Sequence, residues 1–527
     1  MNPVELVIGL ILAAAILATV ARKIGIPYPV LLVLGGLVLG FVPGLPVVHI
    51  PPDIVFLVFI TPLVYIAATQ VTLRDFRSNL RPILILSIGL VLANLLFVAG
   101  ITHWGVHGFA WSTAFVLAAI IGPTDTVAVN AIASEMPIPR RIATILEGES
   151  LINDIVALVA YKIAVDAVTT GTISYSNAGV HLLWDSTAGI AVGLIVGIVA
   201  SWIRRRLEEP AVSIAVSLLT GYAAFLGAEL IDASGILATV TAGLYIGRQL
   251  SKILLPEGRI QAHFFWETVS FLLEGLAFVL IGLELRTIMD DLAEFSLVTL
   301  LAYGALVSST VIVLRVVWVF LFAYLPRYVF RHIREREPAP RWPHLFLLGW
   351  AGMRGVDSLA AALALPLMLA DGKTPFPHRN LIMFLSFSVI LSTLVLQGLS
   401  LPLLIRWFHL QGDNVDETEE AHARLAAAQA ALKRLDDGDV ALEVTPELIA
   451  EVRAVYERKR QRAEAQLNPA NDGVVEVATG ALRRLRRALL TEERRVVIEQ
   501  RDRGEISDSV LRRIERSLDY EDLRQQD

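Results

Sequence analysis

The 527-residue chain contains no cysteine, which excludes disulfides, thiol nucleophiles and cysteine-ligated zinc or iron–sulfur centres. Charge is nearly as scarce over most of the length. Residues 1–410 carry 25 Lys+Arg and 25 Asp+Glu, whereas residues 411–527 carry 20 and 26, so the net charge of −6 belongs to the tail. With 55% hydrophobic and 18% charged residues overall, the body does not have the composition of a string of soluble domains. The pattern is that of an all-α polytopic membrane domain over residues 1–410, followed by a soluble, charged, α-helical tail over residues 411–527.

A bilayer core about 30 Å thick takes roughly 20 apolar residues per helix. Thirteen runs near that length, bounded by Pro, Gly or charge, lie at about 4–22, 28–42, 53–70, 82–101, 109–133, 142–165, 186–203, 211–230, 234–247, 263–284, 296–325, 344–369 and 380–408. The first has no small-residue cleavage site behind it and runs into Arg22 and Lys23, so it reads as a retained span and not a signal peptide. Loops after the odd-numbered spans hold 18 Lys and Arg, against three in the other loops (Arg286, Lys373 and Arg379). The positive-inside rule then places the N-terminus outside and the tail in the cytoplasm of a multi-pass inner-membrane protein. Within the tail, Glu417 to Leu435 and Pro446 to Leu467 read as helices, with a loop at Asn468 to Gly473 and a further helical stretch from about Ala481, interrupted at Gly504. The cluster Arg483, Arg484, Arg486 and Arg487 reads as a solvated helix face, with contact to anionic lipid as the alternative.

Ionisable residues are rare inside the spans, and the exceptions converge. Asp125, Glu149, Asp154, Glu274, Arg315 and Arg354 come from five different spans and all fall roughly 10 to 18 Å from the cytoplasmic end. Charges at that depth mark a functional site by default. The fifth span carries Gly122-Pro123-Thr124-Asp125, where Gly-Pro breaks the helical ladder beside a carboxylate. The twelfth carries Gly349-Trp350-Ala351-Gly352-Met353-Arg354-Gly355, a second glycine-rich interruption at similar depth. If spans 1–6 and 8–13 are inverted six-helix repeats with span 7 as linker, these two broken helices are equivalent and cross at the midplane, where a transport site is expected.

In the sixth span, Glu147, Ser150 and Asp154 share one helical face, and Glu149 and Asn153 share another. Asp154 with the Ser150 hydroxyl can meet Asp125 across an ion-sized gap, and oxygen ligands of this kind suit a small hard cation. Glu149 needs a countercharge, for which Arg315 is the first candidate and Arg354 the second. Two adjoining buried carboxylates cannot both stay ionised unless a cation lies between them, so protons and cation compete for one site. All ten histidines lie at or beyond span ends, which leaves the pH response to carboxylates.

Gly122-Pro-Thr-Asp125, Glu147-Gly-Glu-Ser-Leu-Ile-Asn-Asp154 and Trp350-Ala-Gly-Met-Arg-Gly355 together resemble the monovalent cation/proton antiporters of the NhaP and sodium/proton exchanger branch. Arg501 to Asp508 in the tail is similar to bacterial members. The resemblance implies a 13-helix inverted-repeat fold, a homodimer, and a core domain moving against a dimerisation domain. It implies that Asp125 and Asp154 bind the ion, helped by Ser150 and the Thr124 backbone. It assigns Asn153, Glu149 and Arg315 to organising the core, with Arg315 paired to Glu149. The Asn-Asp pair implies electroneutral one-for-one exchange. Two positions depart from the pattern. Ile66, after Pro62 in the third span, stands where many relatives carry an acid, and Asp357 stands where an apolar residue is usual. Asp357 then either replaces the lost acid or pairs with Arg354 at i,i+3. Glu274 is either a pathway acid or a hydrogen-bonded structural carboxylate, and Glu147 and Asp357 are further pathway acids.

The expected activity is exchange of Na⁺ or Li⁺ for H⁺ by alternating access, with K⁺/H⁺ exchange as the alternative. An intramembrane aspartyl protease would need a Gly-x-Gly-Asp signature that is absent, and a channel would favour a symmetric filter over unlike charges at one level. No catalytic set, cofactor or nucleic-acid partner is indicated. The tail leaves room for a regulatory ligand or lipid.

Overall fold

The computed structural model describes residues 3–42, 55–125, 129, 138–171, 175–254, 256–290, 292, 294–329, 340–410, 415–437, 445–467, 485, 489–503, 505–507, 509–511, 513–515 and 517–519. Met1–Gly412 and Asp413–Asp527 form two compact units. Among the described residues the chain is helical, apart from an isolated bridge between Met368 and Pro375.

In the first unit the helices are α1 (Pro3–Ile24), α2 (Tyr28–Gly40), α3 (Phe56–Gln70), the short α4 (Leu73–Ser78), α5 (Leu80–Gly105) and α6 (Trp111–Ile120). They continue with α7 (Arg140–Thr170), α8 (Tyr175–Arg204), α9 (Pro210–Glu229), α10 (Gly235–Ile253), α11 (Pro256–Asp290) and α12 (Leu297–Val329). The unit ends with α13 (Trp342–Trp350), α14 (Val356–Leu363) and α15 (Arg379–Trp407). Each of the thirteen apolar runs overlaps one of these helices, α13 and α14 together making the twelfth. Seven helices among the described residues are long and apolar enough to cross a membrane. The 31-residue α7 is not one of them, because it carries Glu147, Glu149, Asp154, Lys162 and Asp166.

Several runs differ from the sequence reading: α8 begins at Tyr175 instead of near residue 186, α11 spans Pro256–Asp290 instead of about 263–284 and takes in Arg259 and Arg286, and the ninth and twelfth differ as well. The ninth is 19 residues long instead of about 14: Ser234 caps it by accepting from the Leu237 N–H at 3.3 Å, and Arg248 and Lys252 lie in its last turns instead of in a loop. Their long stems let charged heads reach water from within a helix, which charge-based boundaries miss. The twelfth ends at Leu363 instead of near residue 369, because Pro366 cannot continue a helix.

Packing is governed by apolarity. Residues 116–121 at the end of α6 are essentially inaccessible, as expected of a helix apolar all round, whereas α1, α8, α9 and α12 present Leu12, Ile195, Leu219 and Val313 on open faces suited to lipid. α2 and α11 cross at backbone contact: a Cβ on Gly282 would collide with the main chain at Val33 to Leu37. α3 packs on α10, and α5, α7, α12 and α15 pack around α6, α13 and α14. Among the described residues three helices contain a π turn, at Phe56–Ile60, Ile85–Gly89 and Thr393–Gln397. In the second unit α16 (Val415–Asp436) and α17 (Pro446–Gln466) pack together, and residues 489–502 are helical. The arginine cluster at 483–487, the loop at 468–473 and Gly504 lie outside the described residues.

Candidate functional site

α6 stops at Ile120 and residues 122–125 run without helical structure; α13 stops at Trp350 and residues 351–355 do the same before α14 begins. Pro123 forces the first break by lacking an amide N–H and obstructing the preceding turn. The two breaks meet directly, the Asp125 N–H donating to the Met353 carbonyl at 2.9 Å.

Each break caps the other. Asp125 Oδ2 accepts from the Val356 N–H at 3.2 Å, at the first residue of α14, whose own cap residue Gly355 has no side chain to offer. Arg354 Nη1 donates to the carbonyls of Gly122 and Pro123, just beyond the end of α6. A carboxylate thus sits at a helix N-terminus and a guanidinium at a C-terminus, the arrangement that satisfies orphan backbone groups and suits the helix dipoles. The Arg354 N–H donates to Thr393 Oγ1 at 3.1 Å, in the π turn of α15. Two glycines make the crossing possible: a Cβ on Gly355 would overlap the Asp125 carboxylate, and one on Gly352 would overlap the Arg315 side chain.

α7 divides its polar residues between two faces. Glu149, fully buried, receives both terminal nitrogens of Arg315, Nη2 reaching Oε2 at 2.8 Å and Nη1 reaching Oε1. Thr124 Oγ1 donates to Glu149 Oε1 at 3.0 Å and accepts from Asn153 Nδ2 at 2.7 Å. Arg315 Nη2 also donates to the Leu348 carbonyl at 3.3 Å, tying this cluster to α13. Asp154 lies on the other face, lining a cavity of about 30 Å³ between α3, α6, α7, α10 and α14. Its Oδ1 is buried without a hydrogen-bond partner.

The structure therefore brings Thr124, Glu149, Asn153 and Arg315 into one hydrogen-bonded cluster, and sets Asp125 and Arg354 at the crossing. Asp154 and Asp357 line one cavity, and Asp125 caps the helix that carries Asp357. Asp357 faces the cavity that Asp154 lines, while Arg354 is directed to backbone carbonyls, so these two do not form the i,i+3 pair. Ser150 is half-buried one turn before Asp154, and Glu147 is exposed. Glu274 on α11 accepts from the Tyr28 hydroxyl at 2.8 Å. Beyond the spans, Arg140 at the start of α7 donates to Asp75 of α4 at 2.7 Å and holds that carboxyl below the usual carboxylate range.

Three contributors were not singled out from the sequence: Tyr161, the Thr393 hydroxyl and the Met353 carbonyl. Tyr161 had a signal, since it lies seven residues after Asp154 and shares its face. The others serve backbone groups 39 and 228 positions away, which no local pattern marks.

The transmembrane sodium/hydrogen exchanger family model matches residues 10–407. The chain is 34% identical over 530 aligned residues to an uncharacterized Na⁺/H⁺ exchanger of Mycobacterium bovis, covering 98% of this chain and 96% of that one. It is 35% identical to the sodium, potassium, lithium and rubidium/H⁺ antiporter of Bacillus pumilus over 78% of this chain and 63% of the relative. In fold it is similar to the sodium proton antiporter of Methanocaldococcus jannaschii, with a TM-score of 0.59 at 20% identity, over 75% of this chain and 99% of that structure.

Proposed function

The chain belongs to the sodium/hydrogen exchanger family, and on that premise we propose that it exchanges Na⁺, and Li⁺ as well, for H⁺, one for one, by alternating access across the inner membrane. The observation that carries this reading is the crossing itself. Two interrupted helices cap each other through Asp125 and Arg354, and Asp154, which has one buried oxygen without a partner, lines a cavity beside them. Asp154 holds either the cation or a proton, Asp125 and the Thr124 backbone shape the site with Ser150, and the Glu149–Arg315 cluster keeps the broken helix docked on α7.

Thirteen spans in two inverted repeats suit the packing. Under a repeat relating spans 1–6 to 8–13, the contact of span 2 with span 10 exchanges with that of span 3 with span 9, and both contacts are present. The bias of Lys and Arg to alternate loops supports an N-terminus outside and a tail in the cytoplasm. The open apolar faces of α1 and α8 suit lipid or a second copy in a homodimer, and the tail is a place for a regulatory ligand or lipid. K⁺/H⁺ exchange is the second reading, favoured by the potassium named for the Bacillus relative.

Proteoliposomes with an imposed ΔpH and an internal pH-sensitive dye test this by titrating Na⁺, Li⁺ and K⁺, with valinomycin and K⁺ clamping the voltage in the Na⁺ and Li⁺ runs. The expected signal depends on Na⁺ or Li⁺, survives clamping and disappears in Asp154→Asn. A signal with K⁺ alone establishes the second reading, and no signal with any cation refutes both.

A further inference from the structure

The cavity beside Asp154 has walls that are apolar except at three side chains. Phe56, Ile60 and Val64 line it from α3, and Ala119 and Pro123 from the broken span. The remaining polar groups are Asp154 and Tyr161 on α7, one face seven residues apart, and Asp357 at the first turn of α14. Tyr161 is 8% exposed, and its hydroxyl, like Asp154 Oδ1, is buried without a hydrogen-bond partner. Buried oxygens are rarely left so, because each unsatisfied one loses its hydration for nothing in return. At about 30 Å³ the space exceeds the roughly 10–15 Å³ that one water needs.

Asp357 has no structural duty that competes with this. The capping of α14 is done by Asp125, and Arg354 is committed to the carbonyls of Gly122 and Pro123. The side chain lines the same cavity as Asp154. The two carboxylates come from different elements, α7 and the helix beyond the second break, so a particle held between them joins the two.

We propose that Asp357 and Tyr161 complete the cation's ligand set with Asp154, making this cavity the selective seat of the transported ion. The inference rests on the exchange function above and deepens it: the cation is a hard, oxygen-seeking monovalent ion held by two carboxylates and a phenol. Because Asp357 moves with α14, the fit between ion radius and the gap from Asp154 sets the preference among Li⁺, Na⁺ and K⁺.

The test compares wild type, Asp357→Asn, Asp357→Glu and Tyr161→Phe in the proteoliposome assay, reading kcat and KM for each of the three cations. Cation-induced thermal stabilisation of the detergent-solubilised proteins provides a binding measurement independent of turnover. Loss of a charged ligand is expected to raise KM for the preferred cation about ten- to a hundredfold. Loss of the phenol should raise it about threefold or more. Both variants should change the ratio of KM values among the cations, and Asp357→Glu should recover part of the affinity with a shifted preference. A charge acting only at a distance would raise KM by the same factor for every cation. That uniform change, or an unchanged KM in either Asp357→Asn or Tyr161→Phe, overturns the assignment while leaving the exchange reading intact. Failure of the exchange reading is distinct, since wild type itself would then give no cation-dependent signal.

Discussion

Glu149→Leu removes a carboxylate that is 0% exposed and leaves an Arg315 guanidinium, 1% exposed, with the Leu348 carbonyl as its remaining acceptor. An uncompensated buried charge of this kind destabilises by about 3–5 kcal/mol. Thr124 loses the acceptor of its hydroxyl as well, worth about 1 kcal/mol. The same argument run from the other side gives Arg315→Met a comparable loss, because the buried Glu149 then keeps the Thr124 hydroxyl as its one remaining hydrogen-bond donor. The double variant Glu149→Leu with Arg315→Met removes both charges, and replacing a buried pair by apolar residues of similar size is often nearly neutral. It should therefore be more stable than either single variant, a large non-additivity for residues in direct contact. Thermal unfolding in detergent, monitored by tryptophan fluorescence, is the assay. Trp350 lies at the end of α13, bound to Ser400 Oγ at 2.8 Å, and reports on the crossing. Single-variant losses that simply add in the double variant would show that the pair is not an interacting, desolvated unit.

The geometry makes three further outcomes testable. Gly355→Ala places a methyl group on the Asp125 carboxylate, so exchange should be lost while Gly25→Ala, where a Cβ meets open space but φ is +69°, lowers stability by only about 1 kcal/mol; equal loss of exchange in both variants would contradict the crowding argument. Glu274→Gln keeps an acceptor for the Tyr28 hydroxyl and should retain exchange, as should Tyr28→Phe at a stability loss of about 1 kcal/mol, so abolished transport in Glu274→Gln would return that acid to the pathway. Asp75 has its folded value depressed by Arg140, so its stabilising contribution is complete above the ordinary value of 3.8 and disappears as pH falls through the lower folded value. Unfolding midpoints between about pH 5 and pH 2 should fall less steeply in Asp75→Asn than in wild type, and parallel curves would refute the linkage.

Short-range periodicity is legible in the chain alone, and it settled the elements and their breaks. Apolar runs of helical length located the helices, Gly122-Pro123 and the Gly349 to Gly355 stretch located both interruptions, and the 100° spacing in α7 separated Glu149 and Asn153 from Ser150 and Asp154. Depth along a helix was enough to place Arg315 level with Glu149, because 1.5 Å per residue is the same in every helix. How the charges are used emerged only from the tertiary packing. Arg354 lies three residues from Asp357 and could have paired with it, yet it reaches 232 positions back to the Gly122 carbonyl, because the broken end of α6 presents buried acceptors that water cannot satisfy. Asp357 is thereby left to the cavity of Asp154, and Tyr161 joins it only because α3, α7 and α14 converge there. The true end of α10 beyond Arg248 was equally hidden, since a charged residue marks a helix end only when its stem cannot carry the charge to water. Local pattern decides where a chain is helical and where it breaks; the partners of a buried charge depend on which unsatisfied groups packing brings within reach.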